Sequence, residues 1–70
     1  MGGQVECRAD HEYPGTPLAF TWQDQRLEVA EVIDQIRTPS GLIYLVRIIE
    51  LGLFELSYEI NTDHWSVRQI

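Results

Sequence analysis

The stretch that most constrains the fold is residues 42–60, which read LIYLVRIIELGLFELSYEI. It is apolar, rich in β-branched and aromatic side chains, and interrupted by Gly52, a pattern that predicts two strands joined by a tight turn. We predict a three-residue loop at 50–52, because glycine adopts positive φ without steric cost. That register pairs Arg47 with Glu55 across the strands, a mildly favourable arrangement.

The predicted register divides this hairpin into two faces. One face is predicted to be core and holds Leu42, Tyr44, Val46, Ile48, Phe54, Leu56, Tyr58 and Ile60. The other carries Ile43, Leu45, Ile49 and Leu53 around a central Arg47, joined by Ile33. Contiguous exposed apolar residues on a small domain indicate a covered surface, so we predict that this face binds a protein partner or a second copy. The alternatives are that the N-terminal segment covers the face or that the register is shifted.

The segments before the hairpin also favour strands. Residues 17–23 alternate, with Leu18, Phe20 and Trp22 on one side, and a turn at residues 24–25 would set Trp22 against Leu27. Residues 26–37 are predicted to form one long strand with a bulge near residues 30–31, so that its two halves pair with different neighbours. A helix over this segment is the alternative, since four of its apolar residues have helical spacing.

The rest of the chain completes a five-stranded arrangement. Residues 38–41 predict a turn, the polar residues 61–64 a second connection, and residues 65–70 a last strand on which Trp65 and Val67 face Ile60 and Tyr58. Short turns between five strands predict an all-β antiparallel meander, curled into a small SH3-like barrel.

Seventy residues provide one small domain, which we place at residues 17–70 behind a flexible N-terminal tail at residues 1–16. The single cysteine, Cys7, makes no internal disulfide. Cys7 and His11, even with the acids around them, fall short of the four ligands of a structural zinc site, so we predict no metal and no cofactor.

The charge balance limits the partners. Eleven acidic residues against five basic ones give a formal net charge of −6. Bulk electrostatics of that sign oppose nucleic-acid and anionic-membrane binding. The apolar runs are too short to span a bilayer, and no leader-like segment is recognised, which predicts a cytoplasmic protein.

Chemistry-bearing residues are sparse. His64 lies beside Asp63 with Ser66 as the nearest nucleophile, and nothing completes a catalytic constellation, so we predict no enzymatic activity. Trp22 and Trp65 have two interpretations. They could stack on a base or a proline-rich peptide, which together with the arginines gives an alternative nucleic-acid-associated function, or they could close the core as lids.

The spacing of apolar and aromatic positions over residues 20–70 resembles a known family. The positions that carry the likeness are Phe20, Trp22, Val29, Val32, Ile33, Asp34, Tyr44, Val46, Arg47, Gly52, Phe54, Glu55, Leu56, Trp65 and Val67. They resemble a family of small uncharacterised bacterial domains found beside, or fused to, translesion (Y-family) DNA polymerase-like proteins. The resemblance implies an accessory role in DNA repair without a known enzymatic activity, and no functional residues come with it.

Overall fold

The computed structural model describes residues 5–7 and 15–70, which form seven strands and no helix. The strands are β1 (Val5–Cys7), β2 (Pro17–Trp22), β3 (Gln25–Glu28), β4 (Glu31–Thr38), β5 (Gly41–Ile48), β6 (Gly52–Glu59) and β7 (His64–Gln69). They pair antiparallel in a three-stranded sheet, β1-β2-β3, and a four-stranded sheet, β4-β5-β6-β7. The all-β antiparallel prediction is confirmed. The five-stranded closed barrel is wrong, because the described residues form two separate sheets of three and four strands.

The two sheets separate at residues 29–30, within the predicted long strand. The N–H of Val29 donates to the carbonyl of Leu18 at 2.9 Å, whereas the N–H of Ala30 donates to the carbonyl of Arg47 at 2.9 Å. Adjacent amides therefore extend different sheets. The prediction that the two halves of this segment pair with different neighbours is confirmed, and the helical alternative is wrong. The bulge itself lies later than predicted, where the β4–β5 register shifts between Val32 and Asp34.

The central hairpin differs from its predicted register by two residues. Its loop is residues 49–51, so that Arg47 lies opposite Leu53, and the predicted pairing of Arg47 with Glu55 is wrong. A shift of two residues keeps every side chain on its own face, because successive side chains alternate with a period of two. The residues of the hairpin are therefore divided between the two faces as predicted, although the predicted register is wrong.

Two of the other three hairpins, β2–β3 and β6–β7, show the same two-residue difference. The β2–β3 turn is Gln23–Asp24 rather than residues 24–25, and both residues have positive φ, 49° and 64°. On β7, Trp65 lies opposite Tyr58 and Val67 lies opposite Leu56, whereas the predicted partners were Ile60 and Tyr58. Glutamine and aspartate at positive φ satisfy a two-residue turn of the I′ class at a conformational cost that glycine would avoid.

The core lies between the two sheets. Its buried residues come from β2, β5 and β6 and are Phe20, Leu42, Tyr44, Val46, Ile48, Phe54, Leu56 and Tyr58. Seven of the eight residues predicted for the core face of the hairpin are buried. The exception is Ile60, which is 60% exposed because β6 ends at Glu59 and Ile60 enters the following turn.

Strand β1 was predicted as part of the N-terminal tail, but its three residues pair with β2. The guanidinium of Arg26 on β3 reaches across β2 to Glu6 on β1, with Nε 2.8 Å from Oε2. This hydrogen bond holds the pKa of Glu6 below its ordinary value. Burial raises the pKa of the Cys7 thiol. His11, the other residue considered as a metal ligand, lies outside the described residues.

Residue 18 departs from its predicted face. Leu18 is exposed, whereas Pro17 and Ala19 on either side of it are buried. The β1–β2 register shifts at this point, between Glu6 and Cys7, so that Leu18 is the extra residue of a bulge. The bulge shifts the inward and outward alternation of β2 by one residue, so the side chain of Leu18 points away from the core.

Candidate interaction face

The four-stranded sheet buries one side against the three-stranded sheet and presents the other to solvent. We call the second side the outer face. Alternation along β5 turns Ile43, Leu45 and Arg47 outward, because the residues between them are buried. The register places Ile36 opposite Ile43, and Leu53 opposite Arg47. Cross-strand partners share a face, so β4 and β6 each add an aliphatic residue to it.

Five aliphatic side chains on the outer face form a diagonal band from β4 through β5 and β6 to the residue after β7. We call them the outer stripe: Ile36 on β4, Ile43 and Leu45 on β5, Leu53 on β6, and Ile70 directly after β7. The N–H of Ile70 donates to the carbonyl of Leu53 at 3.0 Å, which extends the β6–β7 ladder by one residue. Successive members are neighbours along a strand or across one, except that Leu45 and Leu53 are diagonal neighbours, since Leu45 lies opposite Glu55 and Leu53 opposite Arg47.

The outer stripe is most exposed at its two ends. Ile36 is 49% exposed and Ile70 is 65% exposed, whereas the three central members are half-buried among their neighbours. All five side chains are at least partly exposed, so the stripe is an apolar surface. Such a surface on a small domain is typical of a binding site.

Two ion pairs border the outer stripe, one on each side. Arg47 Nε lies 3.1 Å from Glu31 Oε1, and Arg68 Nη2 lies 3.0 Å from Glu55 Oε1. Both link neighbouring strands. Exposed pairs of this kind contribute roughly 0–1 kcal/mol to folding. Their main effect is to border the apolar band with charged groups that are paired with each other.

Most of the predicted interaction residues lie on the outer face. Ile43, Leu45, Arg47 and Leu53 are there, and Ile33 is 46% exposed beside the bulge of β4. Ile49 is not on the sheet. It lies in the β5–β6 turn, is 63% exposed, and borders an open groove of about 400 Å³ whose other lining residues are Arg26, Leu27, Glu28 and Ile48.

The two ends of the outer stripe were missing from the predicted set. Ile36 was missing because a bulge near residues 30–31 would turn its side chain to the same face as Val32. Its true position, between Val32 and Asp34, brings Ile36 beside Ile43. Ile70 could have been found from the sequence, since alternation on a last strand with Trp65 and Val67 facing inward turns residue 70 outward.

The two tryptophans pack against core aromatics at opposite ends of β6. Trp22 meets Phe54 edge-on, with ring centroids 5.3 Å apart, and Trp65 lies 5.0 Å from Tyr58 and 6.1 Å from Tyr44. Both indoles are half-buried. The two rings do not form one stacking platform, and each closes one end of the core.

The residues considered for catalysis lie at the start of β7. His64 is exposed opposite Glu59, and Ser66 is opposite Ser57. Asp63 Oδ1 accepts a hydrogen bond from the Tyr58 hydroxyl at 2.6 Å. Over residues 5–7 and 15–70, no group of three or more histidine, cysteine or acidic side chains is placed to hold a metal ion. In the same part of the chain, no helix is long and apolar enough to cross a membrane.

Comparison with known proteins adds no relative. The chain has no significant match among protein-family models, curated proteins or solved structures. The connection to DNA repair therefore stays a prediction that depends on the resemblance in the sequence.

Proposed function

We propose that this protein is a non-catalytic interaction module that binds protein through the outer stripe, with Arg47 as a polar anchor at its edge. The observation that carries the proposal is the stripe itself, a diagonal aliphatic band that runs from β4 through β5 and β6 to the residue after β7 in a 70-residue chain.

The presence of large apolar side chains outside the core supports this proposal. A domain of this size needs nearly all of its large apolar side chains for its own folding. Here the core takes one side of β5 and β6, yet the other side still carries Ile43 and Leu45 on β5 and Leu53 on β6. Side chains that do not contribute to the core and still avoid polarity are best explained by a partner that buries them.

The border of the stripe supports protein as the kind of partner. Protein interfaces combine an apolar centre with a polar rim, and arginine is enriched in them. The pairs Arg47–Glu31 and Arg68–Glu55 provide such a rim and offer both charge signs to a partner. A nucleic acid would instead favour a surface with excess positive charge.

Photo-cross-linking in cells tests this proposal. A photoreactive amino acid at Ile36 is expected to give a covalent adduct heavier than the chain alone, because Ile36 is an exposed end of the stripe. The matched control is the same amino acid at Ile60, which is equally aliphatic and 60% exposed but lies in the turn after β6. Absence of an adduct from Ile36, or equal adducts from both positions, would contradict the proposal.

A further inference from the structure

We propose that the partner of the outer stripe is a second copy of this chain, and that the four-stranded sheets of the two copies pack face to face. This inference rests on the proposed function, since it takes the stripe to be a protein-binding surface. Two-fold association of this kind requires a surface that is complementary to itself. Three properties of the outer face decide whether it is complementary to itself: its charge, the arrangement of its ion pairs and its area.

The charge of the outer face permits self-association although the chain is strongly acidic. On the outer face, the two arginines Arg47 and Arg68 are outnumbered by four acids, which leaves two excess negative charges; the acids are Glu31, Asp34, Glu55 and Glu59. The whole chain carries six. Two copies that meet through the outer face therefore keep most of their negative charge at a distance from each other, which lowers the repulsion that opposes association.

The arrangement of the ion pairs is suited to a two-fold axis along the stripe. The Glu31–Arg47 pair lies on one side of the stripe and the Glu55–Arg68 pair on the other. Rotation about an axis that runs along the stripe brings the first side of one copy over the second side of its partner. Each copy then meets a pair that holds both charge signs, and the aliphatic bands coincide at the centre.

The area of the face is sufficient for a reversible dimer. Strands of up to eight residues and a width of four strands give a face of about 26 by 19 Å, or roughly 500 Å² per copy, from the usual rise and spacing of strands. Two copies would bury about 1,000 Å² in total, the lower limit for a specific interface. We therefore expect an association in the micromolar range.

Sedimentation equilibrium of the full chain, from about 5 to about 500 μM, tests this inference over a range that brackets a micromolar dissociation constant. The unaltered chain is expected to approach twice its 8.1 kDa mass at the highest concentration. Leu45→Glu places a charge at the centre of the stripe and should weaken association at least about a hundredfold. Ile60→Glu is the matched control and should dimerise as the unaltered chain does.

A second variant separates loss of association from loss of folding. Ile36 is 49% exposed, so Ile36→Glu is expected to keep its far-ultraviolet circular dichroism while it dimerises at least about tenfold more weakly. A mass of 8.1 kDa for the unaltered chain at every concentration would overturn the inference, as would an Ile36→Glu variant that dimerises as tightly as the unaltered chain. If the unaltered chain is monomeric but Ile36 cross-links to a different protein in cells, the second copy is excluded and the proposed function stands.

Discussion

Replacing Phe54 with alanine is expected to remove roughly 3–5 kcal/mol of folding free energy, the usual cost of deleting a buried phenylalanine. Phe54 is fully buried, and its ring lies 5.2 Å from Phe20 and 5.3 Å from Trp22, so it joins the two sheets. A domain of 70 residues has about 4–10 kcal/mol in total. The variant should therefore be partly or wholly unfolded at room temperature, which urea titration followed by circular dichroism would measure.

Leu53→Ala is the matched control for this prediction. Leu53 precedes Phe54 on β6 and faces outward, half-buried within the outer stripe, so its truncation should cost about 1 kcal/mol in dilute solution. Measuring both variants at one low concentration keeps association out of the comparison. A larger loss for Leu53→Ala than for Phe54→Ala would mean that the two faces of the sheet are assigned the wrong way round.

Gly41→Ala is expected to be the second most damaging single change. A Cβ at Gly41 would overlap the carbonyl oxygen of Tyr58 on the neighbouring strand, a backbone atom that cannot turn aside. Relief requires β5 and β6 to move apart where they pair. We expect a loss at or above the upper end of the roughly 1–3 kcal/mol that overpacking usually costs, measured by urea titration.

Gly52→Ala separates this steric effect from backbone conformation. Gly52 has a φ of 90°, and a Cβ there would have open space around it, so only the conformational cost of about 1–2 kcal/mol applies. Gly41→Ala should therefore destabilise the domain more than Gly52→Ala. The reverse order would show that the close approach of Gly41 to β6 is absent in solution.

The faces of the strands could be predicted from the sequence, whereas their registers could not. Alternation assigns Tyr44 and Val46 inward and Ile43 and Leu45 outward in every register that differs by two residues. The choice among those registers depends on the turns. The sequence predicts positive φ at Gly52 alone in this loop, whereas in the structure the backbone of Glu50 also has a positive φ, 74°.

The small conformational cost of positive φ explains why the predicted position of the β5–β6 turn is wrong. A non-glycine residue at positive φ costs about 1–2 kcal/mol, which the packing of one or two further buried side chains can exceed. In the observed β5–β6 register, Val46 lies opposite Phe54 and Tyr44 opposite Leu56, and all four side chains are buried. Local preferences are therefore decided by tertiary packing that single-sequence reasoning does not include.

The separation into two sheets was predictable only in part. The change of pairing partner near residue 30 follows from the break in apolar phase between Val29 and Val32. Strand β1 is different. Its three residues are too few to show any period, and they form a strand because the edge of β2 provides backbone partners.

Cysteine labelling in cells tests most directly whether the outer stripe is a covered surface. In a Cys7→Ser background, Ile36→Cys and Ile60→Cys each provide one exposed thiol, the first on the stripe and the second in the turn after β6. We expect the thiol at residue 36 to react with a maleimide at least about tenfold more slowly in cells than in dilute purified protein, as burial at an interface predicts. The thiol at residue 60 should react alike in both. Equal protection ratios at the two positions would contradict the account.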